Sequence, residues 1–377
     1  MTQKRILTKS SDNRWRKQID GKMRYFGKVD PKNVNRSYKF AERNYFEFMA
    51  DREVKQPVEI KVAKLTVEDL GEKYLQSCFA KYKRGELKPS SFEKTRISVC
   101  HFVDYLQTGL LLSMLGETQL DDYRNFVLSL PISAATQKSI SPWTAKSRLD
   151  AVRAMMRWGY RMSFIDQVPR NLDDQYSKIS IPEPVVNRFS REEIGVLYSA
   201  ASEKTKMFML LGLNCGFGQT DISELRVGEV SVDANRIVRK RSKTAIHSEF
   251  TLWPLTMEML KRHGNLDSKP SDRVFLSKSG HPLVREYFID DKFKRTDAIR
   301  SAFFRLMKKT KMPNHRGFYS LRKAAASEIE SIDPAVTEMF LAHSEKAMKK
   351  HYVERDWARL DSAIMKLEQA FSFEVND

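Results

Sequence analysis

The sequence predicts an α+β protein of several modules: a small N-terminal three-stranded β-sheet plus helix, an all-helical middle, and a mixed α+β C-terminal part. Three observations lead there. The chain has 377 residues, long for one hydrophobic core and suited to two or three. Residues 13–27 alternate bulky apolar and cationic side chains at period two, whereas 65–172 carry apolar side chains at helical spacing. Beyond 189 both periods occur. Polar, proline-bearing stretches begin at Gln56-Pro57 and fill 173–188. The expected modules are therefore 1–55, 62–172 and 189–377, with 173–188 as a linker.

In the first module Trp15, Lys17 and Ile19 share one face of a strand, and Arg14, Arg16 and Gln18 share the other. Asp20-Gly21 supplies a tight hairpin turn, and Lys22–Gly27 answers as the partner strand. Ser37–Val54, with Tyr38, Ala41, Tyr45, Phe48 and Met49 at helical spacing, is expected to pack a helix on that sheet. Residues 1–50 hold thirteen lysines and arginines against five acidic residues. Arg14, Arg16, Lys17, Lys22 and Arg24 make the sheet a candidate DNA-binding surface; the plainer alternative is a basic hairpin with a solvated face.

The middle module opens at Leu65-Thr66-Val67-Glu68-Asp69, which has the form of a capping box. Four or five helices are expected to follow, to about Leu172. Leu70, Tyr74 and Phe79 mark the first, and Ser90–Leu106, Leu120–Leu130 and Pro142–Tyr160 are three others. The last sets Ala145, Leu149, Val152 and Met156 against Lys146, Arg148, Arg153 and Arg157, apolar on one side and cationic on the other. Such a helix alone is most simply a solvated face, but it adds to the case for nucleic acid. The C-terminal module starts at Phe189-Ser190-Arg191-Glu192-Glu193-Ile194, a serine cap with a glutamate three residues on. A buried helix through Met207–Leu213, strands at Ile237–Lys240 and Glu249–Trp253, and helices at Ser301–Lys309, Leu321–Ser331 and Pro334–Leu341 complete it.

Composition narrows the function. A net charge of +18 favours a polyanionic partner, with nucleic acid the commonest for a soluble chain. No run of eighteen apolar residues suggests a membrane span. The opening MTQKRILTKSSDNRWRK has no apolar stretch behind its charges, so no secretory signal is expected. Cys78, Cys100 and Cys215 are odd in number and far apart, as reduced thiols are, and do not form a disulfide or metal framework. Neither a Walker-type glycine loop nor the clustered acids of a two-metal nuclease occurs, so no cofactor and no metal ligands are expected.

The most informative segment is YSLRK followed by LAHSEKAMKKHY. It puts Arg322, His343 and Tyr352 in order at spacings of twenty-one and nine residues. These are a fixed cation, an imidazole and a phenol. A phenol, with a pKa near 10, is a poor nucleophile for ordinary esters. Against a phosphodiester held among cations it forms a covalent intermediate that conserves bond energy for rejoining. Upstream, the basic stretch Arg239–Thr244, with Lys240, Arg241 and Lys243, is followed by the apolar Phe250–Leu255.

This pattern resembles the C-terminal signature of the tyrosine recombinases, or phage-type integrases. There an H-x-x-R box precedes a leucine-glycine-histidine turn and the nucleophilic tyrosine. By that resemblance Tyr319–Arg322 is the box, Leu341–Ser344 the histidine turn and Tyr352 the nucleophile. Arg322 would hold the phosphate, His343 would donate to it or orient the phenol, and Lys243 in an R-x-K-T turn would protonate the departing 5′ oxygen. The helical middle resembles the family's core-binding (SAM-like) domain, and the basic sheet its arm-binding domain. The family also carries an arginine in a G-x-R segment. Here the string Gly216–Leu225 puts Gly218 at that position, with Asp221, Leu225 and Glu229 where the family has acidic, leucine and acidic residues. Tyr319 stands in place of the box histidine.

The resemblance implies metal-free strand exchange through a 3′-phosphotyrosine. It implies double-stranded DNA with a specific target site as partner, and a homo-oligomer, a tetramer on paired sites. A DNA-bending accessory factor and a cytoplasmic, nucleoid-associated location are further implications; the C-terminal helix (Trp357–Phe373) either docks in a neighbouring protomer, as the resemblance implies, or packs on its own domain. The alternatives are a non-catalytic DNA-binding protein on the same scaffold, which Gly218 favours, and a relaxing enzyme of the type IB topoisomerase kind.

Overall fold

Strands β1 (Thr8–Lys9), β2 (Arg14–Ile19) and β3 (Lys22–Lys28) pair antiparallel in that order. The computed structural model describes residues 6–55, 65–107, 109–130, 139–174, 179–181, 183, 186–241, 245–313, 315–343 and 355–371. Asp20 and Gly21 take φ of 47° and 73°, the two left-handed residues that a two-residue hairpin turn requires. Helix α1 (Val34–Lys55) covers one face, where Tyr38 and Ala41 join Leu7, Trp15, Phe26 and Val29 in a small core. The Trp15 and Tyr38 rings meet edge-on at 5.0 Å.

The middle helices are α2 (Val67–Lys83), α3 (Pro89–Leu106), α4 (Glu117–Ser129), α5 (Pro142–Arg161) and the short α6 (Asn171–Asp174). The capping box at Thr66 forms: the Asp69 carboxylate accepts the Thr66 N–H and hydroxyl, both at 2.8 Å. Those hydrogen bonds hold the Asp69 carboxyl below its usual range. The apolar stripe of α5 is buried as its spacing predicts. Gly159 lets that helix come close to its neighbours, since a Cβ there would lie 2.8 Å from Leu70 Cδ1 and 2.9 Å from Ile165 Cδ1.

The remainder comprises α7 (Arg191–Ala200), α8 (Glu203–Asn214), α9 (Gln219–Glu224), β4 (Val230–Ser231), β5 (Arg236–Lys240), β6 (His247–Thr251), α10 (Pro254–His263), β7 (Val284–Ile289), β8 (Lys292–Asp297), α11 (Ala298–Lys309), α12 (Tyr319–Ile332), α13 (Thr337–Phe340) and α14 (Trp357–Phe371). Strands β4, β5 and β6 form one antiparallel sheet in that order, and β7 and β8 a separate hairpin. Ser190 and Glu193 form the reciprocal cap at the start of α7. Nine of the twelve residues of α8 are buried, so that helix is the axis of the core. The α+β architecture read from the sequence is the one observed.

By packing, the chain divides into two units. One holds 1–75, 98–140 and 145–178; the other holds 76–97, 141–144 and 179–377. The second unit includes Tyr82 and Phe92, whose rings lie 5.5 and 5.7 Å from that of Phe288 on β7.

Two elements escape the sequence reading. Helix α10 follows β6 after a single Leu252-Trp253 step, and its proline start was read as strand. The β7–β8 hairpin turns at Asp290-Asp291, with φ of 48° and 57°, a turn made without the glycine that usually announces it. Of the two expectations for the C-terminal helix, packing on its own domain is the one observed. Helix α14 lies on its own unit: Leu360, Ala363, Ile364, Leu367 and Phe371 enter the same core as α8 and α12. Trp253 Nε1–H donates to the Ile364 carbonyl at 2.9 Å, and Arg236 pairs with Asp361. Its apolar stripe is satisfied in cis. Among the described residues no helix is long and apolar enough to cross a membrane.

Candidate active site

Arg322 sits on the first turn of α12 and is 3% exposed. Its Nη1 donates to the Gly216 carbonyl at 2.5 Å and its Nη2 to the Leu341 carbonyl at 2.6 Å. Each acceptor comes from a turn of unusual backbone. Gly216 leaves α8 with φ of 61°, and a Cβ there would meet Phe340 Cε1 at 2.9 Å, so only glycine fits. Leu341 precedes Ala342, whose φ is 47°. That is the turn in which the family places glycine. Burial, and next the charge of Arg241, lower the pKa of Arg322, while Tyr319 and Asp221 oppose the shift. A guanidinium stays cationic under such a shift.

The β5–β6 hairpin supplies the next cations. Along β5, Ile237 and Arg239 point inward while Val238 and Lys240 point outward. Arg239 is 5% exposed; it donates to the Asp221 carbonyl at 2.7 Å and stacks 5.3 Å from the Phe217 ring centroid. Its role is to brace the sheet. Arg241, two residues on and on the same side, reaches Asp221 Oδ1 with Nε at 3.3 Å. Its Nη1 lies 3.5 Å from the Leu341 carbonyl that Arg322 also binds. Lys243 and Tyr352 lie outside the described residues, with 242–244 and 344–354.

Tyr319 and Gly218 border the same cluster. Tyr319 is 46% exposed, with the Arg322 guanidinium 5.9 Å from its ring centroid. Gly218 caps α9, its N–H donating to Asp221 Oδ2 at 3.0 Å. Its φ of −89° and ψ of 175° suit any residue. A Cβ there would make ordinary contacts, 3.4 Å from Tyr319 Cδ2 and 3.5 Å from Asp221 Oδ2. His343 follows the Ala342 turn; its N–H donates to the Glu338 carbonyl at 3.0 Å and its Nδ1 lies 3.1 Å from the Glu338 carboxylate. The structure thus gathers Arg322, Tyr319 and the Gly218 position, and puts His343 on the turn whose Leu341 carbonyl Arg322 grips. Sequence reasoning missed Asp221 as the carboxylate of the cluster, and Glu338 as the partner of His343. A carboxylate five residues before the histidine was the available signal for the latter.

The expected DNA-facing cations divide into two kinds. Lys22 is exposed, Arg14 lies 5.7 Å from the Tyr25 ring centroid, and Arg16 is half-buried. Lys17 and Arg24 turn toward α1, at 4.8 Å from the Tyr45 centroid and 5.7 Å from that of Phe48. On α5, Lys146 and Arg153 share Asp150 at 2.7 and 3.4 Å, and Arg157 pairs with Asp173 at 2.5 Å. Arg148 donates to His101 Nε2 at 2.9 Å, and His101 Nδ1 faces the Tyr123 hydroxyl at 2.9 Å. Burial first, then Arg148, lowers the pKa of His101, which fits a neutral ring accepting at Nε2. Among the described residues no cluster of His, Cys, Asp or Glu has the makings of a metal site.

A buried arginine at the start of a helix, a basic hairpin and a left-handed turn into histidine thus come together on an α+β frame. Residues 187–359 match the phage integrase family, in keeping with the resemblance of the C-terminal segment to the tyrosine recombinases. In structure it is similar to phage lambda integrase, solved as a dimer bound to a COC' core site. The identity is 14%, 93% of this chain and 96% of that one are covered, and the TM-score is 0.55. The tetramer of the same integrase on a Holliday junction aligns at 13% identity over 93% and 98%, with a TM-score of 0.55. The integrase of transposon Tn1549, in complex with a circular intermediate DNA, aligns at 14% over 81% and 99%, with a TM-score of 0.52. No curated protein matches the chain.

Proposed function

We propose that this chain is a site-specific DNA recombinase that cleaves and rejoins duplex DNA without a metal, through a 3′-phosphotyrosine on Tyr352. The modules serve as an arm-binding sheet (1–55), a core-binding helical domain (62–172), a linker (173–188) and a catalytic domain (189–377). The Tyr352 oxygen attacks the scissile phosphorus and the bond to the 5′ oxygen breaks. The phenol's proton passes to solvent water, and the leaving 5′ oxygen gains one from Lys243. Arg322 holds a non-bridging oxygen, with Tyr319 as a further donor and His343 orienting the reacting groups. Attack by the partner strand's 5′ hydroxyl reverses these bonds and completes the exchange. The partners are duplex DNA with a specific site and three further copies of the chain; the lambda relative is itself seen as a tetramer on a Holliday junction.

One observation carries this reading. Arg322 is buried and its guanidinium is fixed by two carbonyls rather than by a carboxylate of its own. Burying a cation in that way is costly unless an anion completes the site. A planar fork aimed by two rigid turns is what binding a phosphate oxygen in the transition state needs.

Gly218 favours the second reading, a DNA-binding protein that no longer cleaves. Covalent trapping separates them. On a nicked duplex carrying its target site the enzyme leaves an adduct that survives denaturation and vanishes in Tyr352→Phe, while the variant still binds. A proven target that yields no adduct with the unaltered chain establishes the binder. Relaxation of supercoiled plasmid without any target site would instead identify a topoisomerase-like activity.

A further inference from the structure

Gly218 stands where the family has an arginine, and Lys240, Arg241 and Arg305 are three cations of the same unit that could take its place. Their placement separates them. Lys240 points outward from β5. Arg305 lies on α11, beside a cavity of about 460 Å³ that it lines with Arg295, Asp297, Arg300, Ser301 and Phe304 and not with Arg322. Arg241 continues the inward face of β5. It lies against Asp221, the residue whose carboxylate also accepts the Gly218 N–H. A side chain at 218 would begin its course between Tyr319 and Asp221. The β5–β6 turn therefore delivers a guanidinium to the carboxylate beside which an arginine at 218 would start.

We propose that Arg241 performs, from the hairpin, the phosphate-binding work of the arginine that the family keeps at the position of Gly218. Two guanidinium groups, Arg241 and Arg322, meet at the Leu341 carbonyl with Asp221 as the carboxylate between them. The surplus positive charge matches one phosphodiester. Asp221 holds Arg241 before DNA arrives, and a phosphate oxygen draws the fork onto itself when the strand is seated. This inference rests on the cleavage reaction proposed above.

The test compares two scissile linkages, an ordinary phosphodiester and a methylphosphonate in which methyl replaces one non-bridging oxygen. Arg241→Gln keeps donors for Asp221 and Leu341 but removes the charge. Its rate of covalent adduct formation on the phosphodiester is expected to fall by about 10²-fold or more, the usual effect of losing one preorganised donor. On the uncharged methylphosphonate it stays within about tenfold of the unaltered chain, because the oxygen anion that the cation serves is gone. Adding Gly218→Arg to Arg241→Gln restores at least about tenfold on the phosphodiester, which a merely structural role for Arg241 would not allow. If Gln unfolds the hairpin, as thermal melting reports, Arg241→Lys serves instead, with a loss on the phosphodiester alone. Equal losses on both linkages, or unimpaired cleavage by the variant, overturn the proposal while leaving the recombinase reading intact. Absence of any adduct with the unaltered chain overturns both.

Discussion

Arg322 shows how a single side chain is made ready by backbone alone. Its two acceptors belong to Gly216 and Leu341, 106 and 19 residues away in sequence, and both sit at turns with left-handed residues. Replacing it by lysine keeps the charge and loses the fork, because an ammonium group is a point donor. One buried carbonyl is then left without a partner, at a cost of about 1–3 kcal/mol. Arg322→Lys is therefore expected to melt at a lower temperature and to form the covalent adduct at least about 10²-fold more slowly. An adduct rate within a few-fold of the unaltered chain would mean that the fork is not used on phosphate. Tyr319 was legible as the residue replacing the box histidine. That it borders both Arg322 and the Gly218 position was not, since the two lie on separate helices.

The turn from α13 into His343 is the element on which the site's geometry hangs. Ala342 holds a φ of 47° there, a conformation costing roughly 1–2 kcal/mol for a residue with a Cβ. Glycine removes that strain and adds unfolded-state entropy, which offsets about half of it. Ala342→Gly is expected to stabilise the fold by about 0.5–1 kcal/mol, read as a rise of roughly 2 °C in Tm. Ala342→Val, branched at Cβ, is expected to lower it; the reverse order would show that the turn relaxes elsewhere. The β5–β6 hairpin shows the other side of element-level reasoning. Its strands were readable because apolar and cationic residues alternate, and the same alternation, counted from Ile237, sets Arg239 and Arg241 inward. Proximity to Asp221 was not readable, because Asp221 and Arg241 stand twenty residues apart in sequence and meet only in the folded unit.

At the scale of the whole molecule, charge is the property that matters most. The net +18 predicts affinity for duplex DNA that falls steeply with salt as counterions are released. Between about 50 and 200 mM salt the loss is expected to reach at least ~10³-fold, the range for six or more phosphate contacts, measured as Kd by fluorescence anisotropy on a target duplex. A flat profile would contradict a phosphate-tracking surface. Some of that charge is already engaged, since Lys146, Arg153 and Arg157 pair with Asp150 and Asp173. Arg148, held by His101, has a fixed orientation. Their contribution to binding depends on exchanging one partner for another. Helix α14 teaches a similar lesson: its apolar stripe was plain, yet the surface that covers it belongs to the same chain.

The chain's order of residues determined the local things: which segments alternate at period two or at helical period, where Ser190 and Thr66 cap, where Asp20-Gly21 turns, and the order in which Arg322, His343 and Tyr352 follow near the end. These depend on neighbours a few positions apart, and short-range sterics and hydrogen bonding decide them. Only the folded molecule decided which cation stands by Asp221, which carbonyls aim Arg322, and whose core receives Trp357–Phe371. Those depend on groups brought together from 19 to 106 residues apart and more, where burial and packing of whole elements select one arrangement among many that the local pattern would permit.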